Sequence, residues 1–231
     1  MNSGATHLTT VARQLGRAPL FHRMEPSQLE EIARGLRVQV YRRRERVFTS
    51  RREVPGVLIL LEGRVKLTRA DPRTGRELIL FIVRPGELFG MNESEDSDPA
   101  SAVALDQSVV ARMRTADFER LAQGPEFVGE IARMTANRLA HVMSRLDEMV
   151  FRDVPARLAR MLLRLANDFP GGHNGAAIDV RLTQQDLADL IGSTRESASL
   201  AVNHFKREGL IDVRQRVIFI CDSERLRSLT T

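Results

Sequence analysis

Apolar positions along this chain change period several times, and each change marks a different kind of element. The first dozen residues are expected to be loose. Pro26-Ser27-Gln28-Leu29-Glu30-Glu31-Ile32 opens a short helix, with Ser27 placed to cap it and Glu30 at the third position. From about Arg37 the period shortens to two. Val57 to Leu61 is a continuous apolar run, turned by Glu62-Gly63, after which Val65 and Leu67 alternate with Arg64, Lys66 and Thr68. Asp71-Pro72-Arg73-Thr74-Gly75 makes the next reversal, Leu78, Leu80 and Ile82 form another alternating face, and Pro85-Gly86 ends it. An acidic loop containing Glu93, Glu95, Asp96 and Asp98 follows, and Val103 to Met113 resumes as strands. Closely spaced strands with such turns predict an antiparallel roll or barrel, with an unspecified β-sandwich as the alternative.

The period then lengthens. Residues 126–150 read as one long helix, with Val128, Ile131, Thr135, Arg138, Leu139, Val142, Leu146 and Met149 near one side. This spacing approximates a heptad seam, and a helix that long is expected to bury its stripe against a second chain rather than its own core. Arg152-Asp153-Val154-Pro155 breaks the pattern, and Pro155 suits the first turn of the next helix, which carries Leu158, Leu162 and Leu165 on one face. Pro170 to Gly175 reads as an exposed loop.

Two capped helices follow around a glycine. Thr183 with Asp186 caps the first, Gly192 permits the reversal, and Ser193 with Glu196 is expected to cap the second. Ala198, Ala201, Val202 and Phe205 should face a core. Residues 209–213 and 216–220 then read as two strands joined by a short basic turn. Two short helices three residues apart with a β-wing have the geometry that places one helix in a DNA major groove. Arg195 suits a bidentate pair with guanine, and Glu196 suits cytosine N4, in competition with its capping role. Ser199 is a further candidate reader. Thr183, Gln184, Asn203, Lys206, Arg207, Arg214 and Arg216 are candidates for the phosphate backbone, which positions without specifying.

Charge adds less than the pattern. The net charge is +5, of which residues 151–231 carry 12 basic and 10 acidic side chains, a net of +2. A DNA footprint must therefore come from arrangement on a face. Apolar content of 42% and charge of 28% are those of an ordinary soluble chain. Without a long apolar run or a signal-like start, a cytoplasmic location and no membrane partner are expected. The single Cys221 excludes an internal disulfide and a four-cysteine metal site, and is expected to be small and partly buried. No nucleophile–base set or metal cluster is seen, so no enzyme, cofactor or bound metal is expected.

The Leu-Leu-Glu-Gly-Arg-Val-Lys segment, the Arg-Pro-Gly-Glu-Leu-Phe-Gly corner, the long helix and the Gly-Ser-Thr-Arg-Glu-Ser motif together resemble the superfamily of the cyclic-AMP receptor protein and the fumarate–nitrate reduction regulator (CRP/FNR). The resemblance covers nearly the whole chain and implies an α+β fold. A β-roll sensor would span 1–125, a dimerisation helix 126–150 and a winged helix-turn-helix domain 151–231. It implies a homodimeric transcription regulator, an activator, that binds double-stranded DNA at near-palindromic promoter sites and contacts RNA polymerase.

The family's nucleotide pocket is degenerate here. Met91 stands where nucleotide-binding members carry a Glu, and Ala100 where they carry the Arg that precedes Ser101. Val142 and Met143 replace a Thr–Ser pair, and the acidic loop would repel a phosphodiester. A cyclic nucleotide is therefore not expected, and the protein is read as working without one; a regulator gated by haem or another small ligand is the alternative. The cysteine cluster of the oxygen-sensing branch is missing, His22 lies outside the roll, and His141 is read as a partly exposed helical histidine rather than a ligand. The acidic loop is read as solvated rather than cation-binding. Where the family's common readers carry a second Arg, this chain has Leu200, which can touch a thymine methyl. A shifted operator follows.

Overall fold

A computed structural model describes residues 3–49, 56–90, 100–171 and 177–230. Met91 and the acidic loop, with Glu93, Glu95, Asp96 and Asp98, lie outside the described residues, as do residues 172–176 and the side chain of Ala100. The chain forms two units, one of Met1–Arg76 with Leu80–Leu139, the other of Ala140–Thr231 with Glu77–Ile79.

The first unit opens with α1 (Ser3–Gly16) and α2 (Pro26–Gly35). The expectation of a loose start is therefore corrected. Leu8, Val11, Ala12 and Leu15 recur at helical spacing, and the last three are buried against Leu29 and Ala33 of α2. Ser27 is also not the cap of α2. Glu25 holds that place, its N–H donating to Gln28 Oε1 at 2.9 Å, because Pro26 with its fixed φ takes the first helical position.

Among the described residues eight strands follow: β1 (Arg37–Tyr41), β2 (Arg46–Phe48), β3 (Val57–Glu62), β4 (Val65–Ala70), β5 (Glu77–Val83), β6 (Leu88–Phe89), β7 (Ala100–Ala104) and β8 (Ser108–Met113). They make two four-stranded sheets, ordered β1-β8-β3-β6 and β2-β7-β4-β5, with antiparallel pairings. The unbroken apolar run of β3 has a physical reason. Successive side chains point to opposite faces. Val57, Ile59 and Leu61 enter the cluster covered by α1 and α2, while Leu58 and Leu60 pack with Phe48, Val65, Val83 and Phe89 inside the roll. Gly63 turns β3 into β4 at φ 83°, where a Cβ would come within 2.4 Å of the Gln107 carbonyl oxygen. Helix α3 (Thr115–Leu121) and the start of α4 (Pro125–Phe151) close this unit, with Phe127 buried between Phe21 and Phe118.

The second unit holds the end of α4, then α5 (Val154–Asp168), β9 (Pro170–Gly171), β10 (Ala177–Ile178), α6 (Gln184–Ile191), α7 (Arg195–Arg207), β11 (Ile211–Arg214), β12 (Val217–Ile220) and α8 (Ser223–Ser228). Asp153 caps α5 by accepting from the Ala156 N–H at 2.9 Å, with Pro155 in the first turn. Leu158, Leu162, Leu165, Ala198 and Phe205 are each at most 4% exposed and form the seat of the helix pair. The strands make one sheet, β11-β12-β10-β9.

Candidate nucleic-acid interface

Helix α6 is defined at both ends by its own side chains. Thr183 Oγ1 accepts from the Asp186 N–H at 3.1 Å, and the Asp186 carboxylate takes both the N–H and the hydroxyl of Thr183, at 2.9 and 2.7 Å. At the other end Gly192 adopts φ 62°, and the Gly192 and Ser193 amides both return to the Ala188 carbonyl. This αL stop is one that glycine enters without the Cβ penalty. Ser193 is consumed in that turn and does not cap α7. Thr194 does, accepting from the Ser197 N–H at 3.2 Å. The shift of one residue matters because it moves Glu196 out of the capping-box position. Among the described residues, the side chains of Arg195 and Glu196 make no hydrogen bond or ion pair.

At about 100° per residue, Arg195, Ser199, Asn203, Lys206, Glu196, Leu200 and Arg207 fall within one arc of roughly 140° on α7. Ala198, Ala201, Val202 and Phe205 occupy the other side and are buried. Every member of the polar arc is exposed except the half-buried Ser199. Leu200 is the anomaly in that arc, apolar yet 72% exposed.

Six of the residues predicted from sequence meet in one place. Thr183, Gln184, Arg195, Asn203, Lys206 and Arg216 line a cleft of about 440 Å³ between the start of α6, the face of α7 and the wing. Such a groove, rimmed by two cations, an arginine fork and a helix start, fits a phosphodiester backbone beside a base edge. Glu196, Ser199, Leu200, Arg207 and Arg214 do not line it. Arg214 is held on its own wing, donating to Asp212 Oδ2 at 2.6 Å with its guanidinium 5.4 Å from the Phe219 ring. That ion pair keeps the Asp212 carboxyl below the usual carboxylate range. Thr183 has its hydroxyl and amide committed to the cap. The wing itself turns through Gln215 and Arg216 at φ 50° and 68°, a two-residue hairpin in which neither residue is glycine.

On α4 the structure separates two stripes. Leu139, Met143, Leu146 and Val150 are 62%, 54%, 51% and 72% exposed, and Val128, Ala132 and Thr135 continue the same line. Of the residues expected on the seam, Ile131 instead packs into the first unit's core, and Arg138 donates to the Leu88 carbonyl at 2.6 Å with its guanidinium over Phe81. Met149 lies against Gly192, and Val142 is half-buried. From Arg138 onward the inward stripe of α4 is polar. Arg145 and Glu148 are 6% and 4% exposed. They were missed from sequence, although Arg138, His141, Arg145 and Glu148 recur at heptad spacing and could have been read as a second stripe.

Ser101 of the degenerate pocket shares a 2.7 Å hydrogen bond with Thr68, which is 1% exposed. His141 is part-buried beside Arg164. Cys221 is exposed, a correction to the expected partial burial, because it lies just past the end of β12, with its thiol 3.9 Å from the Phe219 carbonyl. Among the described residues no group of His, Cys, Asp or Glu could hold a metal ion, and no helix is long and apolar enough to cross a membrane.

Residues 38–125 match the cyclic nucleotide-binding domain, and residues 156–229 match the Crp-like helix-turn-helix domain. The CRP-like cAMP-activated global transcriptional regulator of Mycobacterium tuberculosis is 32% identical over 92% of this chain and 96% of its own. The global nitrogen regulator of Synechococcus elongatus is 26% identical over 95% of each. Among solved structures, FixK2 from Bradyrhizobium japonicum superposes with a TM-score of 0.73 at 21% identity, covering 85% of this chain and 98% of that one.

Proposed function

The chain belongs to the CRP/FNR family of transcription regulators, with a helix-turn-helix DNA-binding domain, and on that premise we propose that it acts as a homodimeric activator at near-palindromic promoter sites without requiring a cyclic nucleotide. Residues 1–125 are then a sensor-like part, 126–150 the dimerisation helix and 151–231 the DNA-reading part. The observation that carries this reading is the bare polar arc of α7 opening onto the cleft. Arg195 and Glu196 read bases, Leu200 meets a thymine methyl and Ser199 adds a shorter contact. Gln184, Asn203, Lys206, Arg207 and Arg216 hold phosphates, with Thr183 and Arg214 contributing least because both are engaged within the chain. RNA polymerase is the partner that an activator of this family would recruit.

Dimerisation is supported by the inverted stripes of α4. A helix that buries Arg145 and Glu148 while leaving Leu139, Met143, Leu146 and Val150 in solvent fits one whose apolar line is covered by a second copy. We place the seam on that line, with Val128, Ala132 and Thr135, rather than through Ile131, Arg138, Val142 and Met149. Independence from a cyclic nucleotide is supported by Met91 and Ala100 in place of the charged residues and by the engagement of Ser101 with Thr68.

The test is selection of bound sites from random duplex DNA by the untreated protein. An inverted repeat is expected in its absence of any added ligand, and indifference to sequence at physiological salt overturns the proposal. One observation favours a second reading. The 32% relative is described as cAMP-activated, so a ligand-gated regulator is the alternative, with haem or another small ligand in the same role. A rise in operator affinity on titrating cyclic AMP would establish it.

A further inference from the structure

The inward stripe of α4 does more than fill space. Arg145 spreads its guanidinium between two carbonyls, with Nη1 donating to Ile79 at 2.7 Å and Nη2 to Leu190 at 2.5 Å. Leu190 lies in the last turn of α6, where carbonyls lack helical partners and a cation is favoured. One turn along α4, Glu148 accepts from Arg164 Nη2 of α5 at 2.8 Å and from Ser144 Oγ at 3.3 Å, with Arg160 at 3.8 Å. The other arm of Arg164 faces both ring nitrogens of His141, at 3.3 and 3.4 Å. Three helices of the second unit are thus joined at fixed points by directional contacts.

Buried ion pairs contribute little net stability compared with apolar side chains of similar volume, and their best-attested use is to fix registry. An apolar seat would let α6 slide on α4, whereas a planar fork aimed at two carbonyls admits one arrangement. The same segment of α4 carries Met143, Leu146 and Val150 of the outer stripe. We infer that Arg145 and the Glu148–Arg164 pair are positioning residues, holding the helix-turn-helix at a set orientation to the dimer seam and so setting the separation at which two half-sites are accepted. The inference rests on the dimeric reading. None of these residues belongs to the exposed arc of α7, so base identity is left to Arg195, Glu196 and Leu200.

The experiment uses the full chain and duplexes bearing two copies of the selected half-site at varied centre-to-centre separation, with a single-half-site duplex beside them. The wild type is expected to prefer one separation over its neighbours by about tenfold, the scale of one charge-assisted hydrogen bond. Arg145→Met, which keeps the volume and removes both donors, should reduce that preference to about threefold or less, with half-site affinity and base preference unchanged. Glu148→Gln should act in the same direction. Arg145→Lys reaches only one carbonyl and should fall between. Should Arg145→Met fail to fold, the other two variants decide. Folded variants that keep the wild-type separation preference overturn the inference. So does a parallel loss of half-site affinity, which would make these residues structural supports only. A wild type that binds paired and single half-sites equally removes the dimeric reading itself, a pattern recognisable before any variant is made.

Discussion

Leu146 offers the sharpest test of how α4 is used. Its side chain is 51% exposed, although it sits in the middle of a long helix. Full burial of a leucine is worth about 1.5–3 kcal/mol, so covering the exposed half yields ~0.75–1.5 kcal/mol per chain. A two-fold seam counts the residue twice. Leu146→Ala should therefore weaken the dimer by ~1.5–3 kcal/mol, or roughly 10- to 150-fold in the dissociation constant. The loss of stability within each unit should be smaller than for a fully buried leucine, because about half of this side chain is already exposed within one chain. Sedimentation equilibrium over a concentration series measures the first quantity, and thermal unfolding at concentrations below the dimer constant, where association does not contribute, checks the second. Ile131→Ala is the matched control. Ile131 packs against the first unit's own core, so its loss should lower stability and leave association nearly unchanged. The reasoning fails if Leu146→Ala shifts the dimer constant by less than about threefold while Ile131→Ala shifts it strongly. That result would take the seam off the line of Leu139, Met143, Leu146 and Val150.

Three further outcomes follow from the second unit. Arg195→Ala should relax preference at one guanine position by ~1–3 kcal/mol, whereas Lys206→Ala should weaken all sequences alike and reduce the salt slope by about one; competition binding at several salt concentrations separates them. Gly192→Ala should destabilise the unit by ~1–3 kcal/mol, since it forces a Cβ into a left-handed conformation with φ 62° and to within 2.8 Å of Met149 Cε, and chemical denaturation measures the loss. His141 is held down to a pKa of about 4 by burial and by the guanidiniums of Arg164 and Arg145. The unfolded chain, with a histidine near 6.5, takes up a proton that the folded one refuses. Stability should thus be flat above pH 7 and fall as pH drops from about 6.5 to 4, by ~1–2 kcal/mol once solvent screening of the part-exposed ring is allowed for. The difference in unfolding free energy between wild type and His141→Gln across that range isolates the effect, and parallel curves would refute it.

What sequence could disclose divides along a physical line. The Pro155 start of α5, the cap of α6 and the αL glycine rest on contacts within a few residues, and the buried face of α7 and the strands of the roll show in their periodicity, so local pattern resolves them. Thr194 in place of Ser193 was lost because two hydroxyls adjoin the glycine, and the tie is broken by the Ser193 amide, which is spent on Ala188. Helix α1 shows a different failure. Its Leu8, Val11, Ala12 and Leu15 spacing was present but short, and a short stripe becomes a helix only with the second surface that α2 and β3 supply.

The seam proposed for α4 is the instructive case, because hydrophobic spacing alone does not fix its register there. From Arg138 onward two stripes wind along this helix at the same period, one apolar and one polar, and an isolated chain would be expected to bury the apolar one. What reverses the choice is remote. Arg145 finds its acceptors at Ile79 and Leu190, and Glu148 finds its donor at Arg164, none of them visible from the helix itself. Once those partners exist, the desolvation of two charges is offset by hydrogen bonds that no apolar residue could replace without leaving carbonyls unpaired. The apolar stripe is then left outside, at a cost that a lone chain would bear and a dimer would not. The exposed leucines and the buried charges are therefore one observation, and a variant that frees the buried stripe should disturb the outer one through the same helix.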